Sequence, residues 1–168
     1  MTRTVVMVTK VCVVYAMCVS VAWVLPDRPP DCACVWTMPW HVPFTQPSTD
    51  PPPYTLNISD TRVLTNMTVT MLLVGKMPAE GFLVQVHDPS GNTLGAFTPT
   101  PGLVQTMTCK RPNDTATHVS NKKNMMVTFQ WQPPSDYNGQ AFFKATVVRT
   151  YSTFWTGITS NTFNVSSS

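Results

Sequence analysis

An all-β antiparallel sandwich is the fold this sequence predicts. Three observations carry it: seven or eight short runs are rich in β-branched and aromatic residues, turn-forming Gly, Pro, Asn or Asp bounds each of them, and no stretch shows a convincing helical period. A chain of 168 residues with 43% apolar content is long enough for one domain with a sizeable core plus appendages.

The strands follow in order. "YTLNIS" alternates Tyr54, Leu56 and Ile58 on one face with Thr55, Asn57 and Ser59 on the other, the pattern of a half-buried strand. "MTVTMLL" repeats it, with Met67, Val69, Met71 and Leu73 expected inward. "GFLVQVHDPSGNTLGAF" reads as a strand, an Asp-Pro-Ser-Gly turn and a short return strand. "LVQTMTC", "MMVTFQW", "AFFKATVV" and "FWTGITS" complete the set, a count that suits a sandwich of the immunoglobulin-like kind. In "MMVTFQW", Met125, Val127, Phe129 and Trp131 are expected inward, Trp131 as the core plug, and Met126, Thr128, Gln130 and Gln132 outward. The turn before it, "SNKKN", projects Lys122 and Lys123.

Two segments precede the sandwich. Residues 1–22 read as a signal peptide, because Arg3 and Lys10 lead into the uncharged run "VCVVYAMCVSVAWVL" and small residues at Ser20 and Ala22 suit cleavage after Ala22. Residues 23–53 form a proline-rich arm in which repeated loss of backbone donors excludes a helix and disfavours a central strand. The arm is expected to lie extended over the body, with Trp36, Trp40 and Phe44 against it. The sandwich itself is assigned to residues 54–168. "TSNTFNVSSS" at the C-terminus has no hydrophobic tail, so no membrane span is expected after signal cleavage, and the product is expected to be secreted and extracellular.

Composition narrows the function. Charged residues are only 11% of the chain, against about 25% in ordinary soluble domains, so Thr, Ser and Asn solvate the surface. Sequons at Asn57, Asn66, Asn113 and Asn164 offer glycan acceptors in a secretory pathway. Cleavage after Ala22 leaves nine basic against eight acidic residues, a balance that excludes a nucleic-acid footprint. It also leaves Cys32, Cys34 and Cys109 in an oxidising compartment, an odd number. A bond from Cys34 or Cys32 to Cys109 closes a long loop, worth about 4 kcal/mol in the chain-entropy model. The remaining thiol is free, capped or intermolecular, giving a monomer or a Cys32-linked dimer.

The three histidines, His41, His87 and His118, sit in no zinc helix motif, nucleophile elbow or phosphate loop, so no enzyme and no cofactor is expected. His118 reads as a hydrogen-bonded structural residue and His87 as an exposed strand end. Cys32, Cys34 and His41 make a Cys-x-Cys plus imidazole set of copper or zinc type, with disulfide formation the stronger competitor. Lys122 and Lys123, helped by Lys110 and Arg111, are the candidate surface for an anionic partner.

Several separated stretches resemble the reeler domain, named for the N-terminal region of reelin and found also in ferric-chelate reductase-like proteins. They are "CVWTMPWH", "PPPYTLNIS", "EGFLVQVHD", "LVQTMTC", "THVS", "VTFQWQPP" and "ATVVRTYSTFWTGITS", spanning roughly residues 30–163. The resemblance implies pairing of Cys34 with Cys109. Cys32 is additional to the family pattern, and Trp40 and Val42 flank His41 where the family usually has a basic residue and a glycine. The stand-alone length most resembles the small secreted insect-type defense proteins, which implies an antimicrobial role in humoral innate immunity through microbial surface components or host extracellular proteins. A structural or adhesive matrix glycoprotein is the alternative. Reductase chemistry is not expected, since no multi-helix apolar region or axial ligand pair accompanies the sandwich.

Overall fold

The computed structural model describes residues 33–39 and 45–167. The signal segment 1–22, Cys32, Trp40, His41 and Phe44 lie outside them, as does the side chain of Trp36. The described residues begin with a single helical turn, α1 (Ala33–Trp36). Helix was not expected in the arm, but these four residues contain no proline, so one turn closes between the prolines that forbid its extension.

Eleven strands follow: β1 (Tyr54–Ile58), β2 (Arg62–Leu64), β3 (Val69–Ala79), β4 (Gly81–His87), β5 (Ala96–Thr98), β6 (Val104–Met107), β7 (Thr115–His118), β8 (Asn124–Gln132), β9 (Gly139–Thr150), β10 (Thr153–Thr159) and β11 (Phe163–Ser166). The three that the sequence pattern does not show, β2, β7 and β11, are only three or four residues long, too short to express a period. Four strands form one sheet in the order β1-β3-β8-β5. The second sheet runs β2-β11-β9-β4-β7-β6, with β10 also paired to β9. All pairings are antiparallel except β11 with β2, which is parallel.

The inner faces meet in an aromatic core. Val69, Met71 and Leu73 of β3 and Val127, Phe129 and Trp131 of β8 face Phe82, Val84 and Val86 of β4 and Phe143, Ala145 and Val147 of β9, all buried. The Trp131 ring stands edge-on to Phe143 at 5.8 Å and to Phe163 at 5.9 Å. Its indole N–H donates to the Leu94 carbonyl at 3.0 Å, so the one polar atom of the plug is satisfied. Gly95, next in the chain, has φ +62°, and a Cβ there would collide with the Gln132 carbonyl and the Trp131 indole. This glycine turns the chain from beside β4 into β5 of the opposite sheet.

Two inward assignments are corrected. Met67 is exposed because it belongs to the turn before β3, which pairs only from Val69 onward. Met125 is exposed because β3 leaves register with β8 between Val74 and Ala79, so the start of β8 runs beyond the core.

The arm lies along the second sheet. The Thr37 carbonyl accepts from the Thr146 hydroxyl of β9. Ser48 N–H donates to the Phe154 carbonyl at 2.8 Å and the Trp155 indole N–H to the Asp50 carbonyl at 3.0 Å, which covers the β10 edge. Cys34 is joined to Cys109.

Trp131→Ala is expected to cost roughly 3–5 kcal/mol, and Trp131→Phe distinctly less, because Ala leaves a cavity among Phe143, Phe163 and Leu94 whereas Phe forfeits mainly the indole bond. Chemical denaturation of the purified chain measures both.

Candidate functional site

The loop after β6, "TCKRPND", is organised from inside by a carboxylate. Asp114 is fully buried, and its oxygens accept the backbone N–H groups of Cys109 at 2.9 Å, Lys110 at 2.9 Å and Arg111 at 3.0 Å. The hydroxyls of Thr115 and Thr93 also donate to it, at 3.2 and 3.3 Å. The three backbone donors and the two hydroxyls beside them fill the roughly four lone-pair sites of the carboxylate and compensate its burial. Asn113, with φ +57°, provides the left-handed step that closes the loop, and its side-chain oxygen accepts from Thr106 at 2.8 Å. Because the backbone donors turn inward, the Lys110 and Arg111 side chains are left to point out, and both residues are exposed.

Beside this loop lies a cleft of about 310 Å³, walled by Lys110 and Arg111, by Asp88, Asn92 and Thr93 of the turn after β4, and by Asp136 and Tyr137 of the turn before β9. Asp88 closes its turn by accepting from Asn92 N–H at 2.8 Å and from the Asn92 side-chain amide at 2.9 Å, and these bonds hold its pKa below the ordinary carboxylate value. Tyr137 donates to the Gln140 carbonyl at 2.6 Å; burial, then the nearby Asp88 charge, raises its pKa. The cleft thus combines an aromatic ring, two carboxylates, an amide, a hydroxyl and two cations.

Beneath the turn sits His87, 9% exposed rather than projecting into solvent as its strand-end position suggests. The ring stacks on Phe142 at 6.1 Å, bonds through Nδ1 to the Gly91 carbonyl at 3.2 Å, and places Nε2 3.1 Å from the Gln85 side chain. Gln85 in turn donates to Thr115 at 2.9 Å, so a polar chain runs from His87 to Asp114. Burial lowers the His87 pKa; the Gly91 bond opposes this, Lys144 and Lys110 reinforce it, and Asp88 opposes it. His118 is different in kind: its Nδ1 accepts the Phe82 N–H at 3.2 Å and the ring packs edge-on to Phe82.

The four cationic candidates do not form one surface. Lys123 pairs with Glu80 at 3.5 Å, just before β4 begins, whereas Lys110 and Arg111 share the cleft with Asp88, just after β4 ends. Seven residues of strand, about 20 Å, separate the two groups. Asp88 and Asp114 were not among the candidate residues, although "DPSGN" and "PND" carry turn chemistry that points to them; neither motif contains Tyr137. All four sequon asparagines, Asn57, Asn66, Asn113 and Asn164, are exposed. Of the possible metal set, Cys34 is in the disulfide, and Cys32 and His41 lie outside the described residues.

A family model described as the Reeler domain matches residues 32–168. The chain belongs to the reeler domain family. "Putative defense protein 1" of Antheraea mylitta is 32% identical over 158 residues, 89% of this chain and 91% of that protein. "Defense protein l(2)34Fc" of Drosophila melanogaster is 32% identical over 149 residues, 86% and 91% of the two chains. In structure, the reeler domain of human F-spondin superposes with a TM-score of 0.61 at 12% identity, covering 73% of this chain and 95% of that one. The reeler fold is therefore shared, and the family resemblance extends to defense proteins of matching length.

His87 yields a pH prediction. Its unfolded pKa is near the ordinary 6.5 and its folded pKa is lower, so the unfolded state takes up the proton first as pH falls. Stability should decline from about pH 6.5 downward until the folded pKa is passed, and His87→Gln should flatten that decline. Denaturation midpoints of both proteins from about pH 7.5 to about 5.5 test it, with no difference in slope as the contrary result.

Proposed function

We propose that this reeler protein is a secreted, non-catalytic recognition module of humoral defense that binds microbial surface saccharides in the cleft between Lys110, Asp88 and Tyr137. The observation that carries this reading is the loop of Cys109–Arg111, tied to the arm by a disulfide and to a buried carboxylate by three N–H bonds, which presents two cations beside an aromatic ring. A site held this way loses little entropy on binding. An aromatic ring flanked by carboxylates, an amide and cations offers both a stacking face and hydrogen-bond partners of both kinds, which suits a polyhydroxylated ring carrying acidic groups.

Secretion is supported by the N-terminal apolar run, by the exposed sequons and by the disulfide, which persists in oxidising compartments. A defense role is supported by the names of the relatives. Transcript induction after bacterial challenge would agree with it, whereas constitutive expression in matrix-secreting tissue would support a structural glycoprotein instead.

Binding of soluble peptidoglycan fragments, measured by calorimetry, should weaken about tenfold or more in Lys110→Ser/Arg111→Ser, the loss expected for charge-assisted hydrogen bonds. Lys122→Ser/Lys123→Ser should bind like the unsubstituted protein. Equal affinity in all three would remove the cleft as the site.

A further inference from the structure

The end of the sandwich opposite the cleft gathers apolar and basic side chains together. Among the described residues six large apolar side chains are exposed, and four of them lie here: Met77 at 39%, Met125 at 50%, Met126 at 59% and Tyr151 at 55%. Register places them. Met126 is opposite Val74 and Asn124 is opposite Ala79, with Met77 in the irregular stretch between, while Gly81 pairs with Val148 shortly before Tyr151 turns β9 into β10. Lys76, Lys122, Lys123 and Arg149 are exposed at the same end. Arg149 is near enough to act electrostatically on Tyr54, which pairs with Gly75 beside Lys76. Against these four cations stand Glu80, which is paired with Lys123, and Asp50 on the arm beside Trp155.

The core does not require this arrangement, because the last facing pair of β3 and β8 with both members buried in it is Leu73 with Val127. An apolar tip ringed by cations has a definite complement, a surface with negative groups outside and hydrocarbon beneath. Methionine is unbranched and adapts to a fluid phase, lysine and arginine lay their stems along apolar surface while the heads reach phosphate, and tyrosine favours the boundary between the two. The tip is also too small for a stable protein partner, which engages about 20–30 residues on each side.

We propose that this tip is a docking site for anionic lipid bilayers, with Met77, Met125, Met126 and Tyr151 entering the headgroup layer and Lys76, Lys122, Lys123 and Arg149 meeting lipid phosphates. Contact is peripheral, and among the described residues no helix is long and apolar enough to cross a membrane. The assignment is independent of the saccharide cleft, which lies at the other end.

Cosedimentation of the mature protein with phosphatidylglycerol–phosphatidylcholine vesicles, and with phosphatidylcholine alone, tests the proposal. Binding is expected only to the anionic vesicles and should fall as salt rises. Each of Lys76→Gln and Lys122→Gln should reduce the partition coefficient about fivefold, the value of one basic residue at such a surface. Met125→Ser/Met126→Ser should reduce it as well with the charge unchanged, and these exposed substitutions should leave denaturation midpoints nearly unaltered. Equal binding to neutral vesicles, unchanged binding by the methionine pair, or loss of binding in Lys110→Ser/Arg111→Ser would each overturn the assignment; the last would move lipid contact to the cleft end.

Discussion

Strand β4 has to be kept dry on both faces, and much of the structure depends on meeting that constraint. Its seven residues, Gly81–His87, are all buried, although the outer face of a two-layer sandwich ordinarily meets water. Phe82, Val84 and Val86 enter the core, while Leu83, Gln85 and His87 point the other way. That outer row is tolerable only if its polar atoms are partnered and a further layer lies over the sheet. The chain from His87 through Gln85 and Thr115 to Asp114 supplies partners, as does the Thr117 hydroxyl, which donates to the Phe82 carbonyl at 2.8 Å. The arm supplies the layer, held at Thr146 by hydrogen bonding and at Cys109 by the disulfide.

The same solution builds the cleft. Asp114 completes the buried polar chain and, by gathering the N–H groups of Cys109, Lys110 and Arg111, also shapes the loop that the disulfide anchors. A stability feature and a presentation feature therefore share one carboxylate. Such coupling gives a loop site the precision of the sheet below it, which flexible loops usually lack.

At the far end the construction is the reverse. The irregular pairing between Val74 and Ala79 carries Met77, Met125 and Met126 clear of the core, so these side chains face outward. The result is a basic and apolar tip about one strand length from the polar cleft. With saccharide proposed at one end and lipid at the other, the sandwich between them fixes their separation.

Alternation of residue type decided which sheet faces turn inward along Tyr54–Ile58 and Val127–Trp131, because a period of two is a local property that any half-buried strand must express. The resemblance across "CVWTMPWH" and "LVQTMTC" likewise implied the Cys34–Cys109 bond that the structure contains. Burial of His87 was not legible, since the strand end looks exposed until Phe142, Gly91 and Gln85 close around it from three positions in the chain. Nor was the separation of Lys110 and Arg111 from Lys122 and Lys123, which are eleven to thirteen positions apart in sequence yet sit at opposite ends of β4. The sequence by itself determined the sandwich and the inward rows of its core, because these follow from local period, and its resemblance to the family implied which cysteines pair. Only the tertiary structure decided which charges share a surface, since that depends on the direction in which neighbouring strands run and on where each one ends.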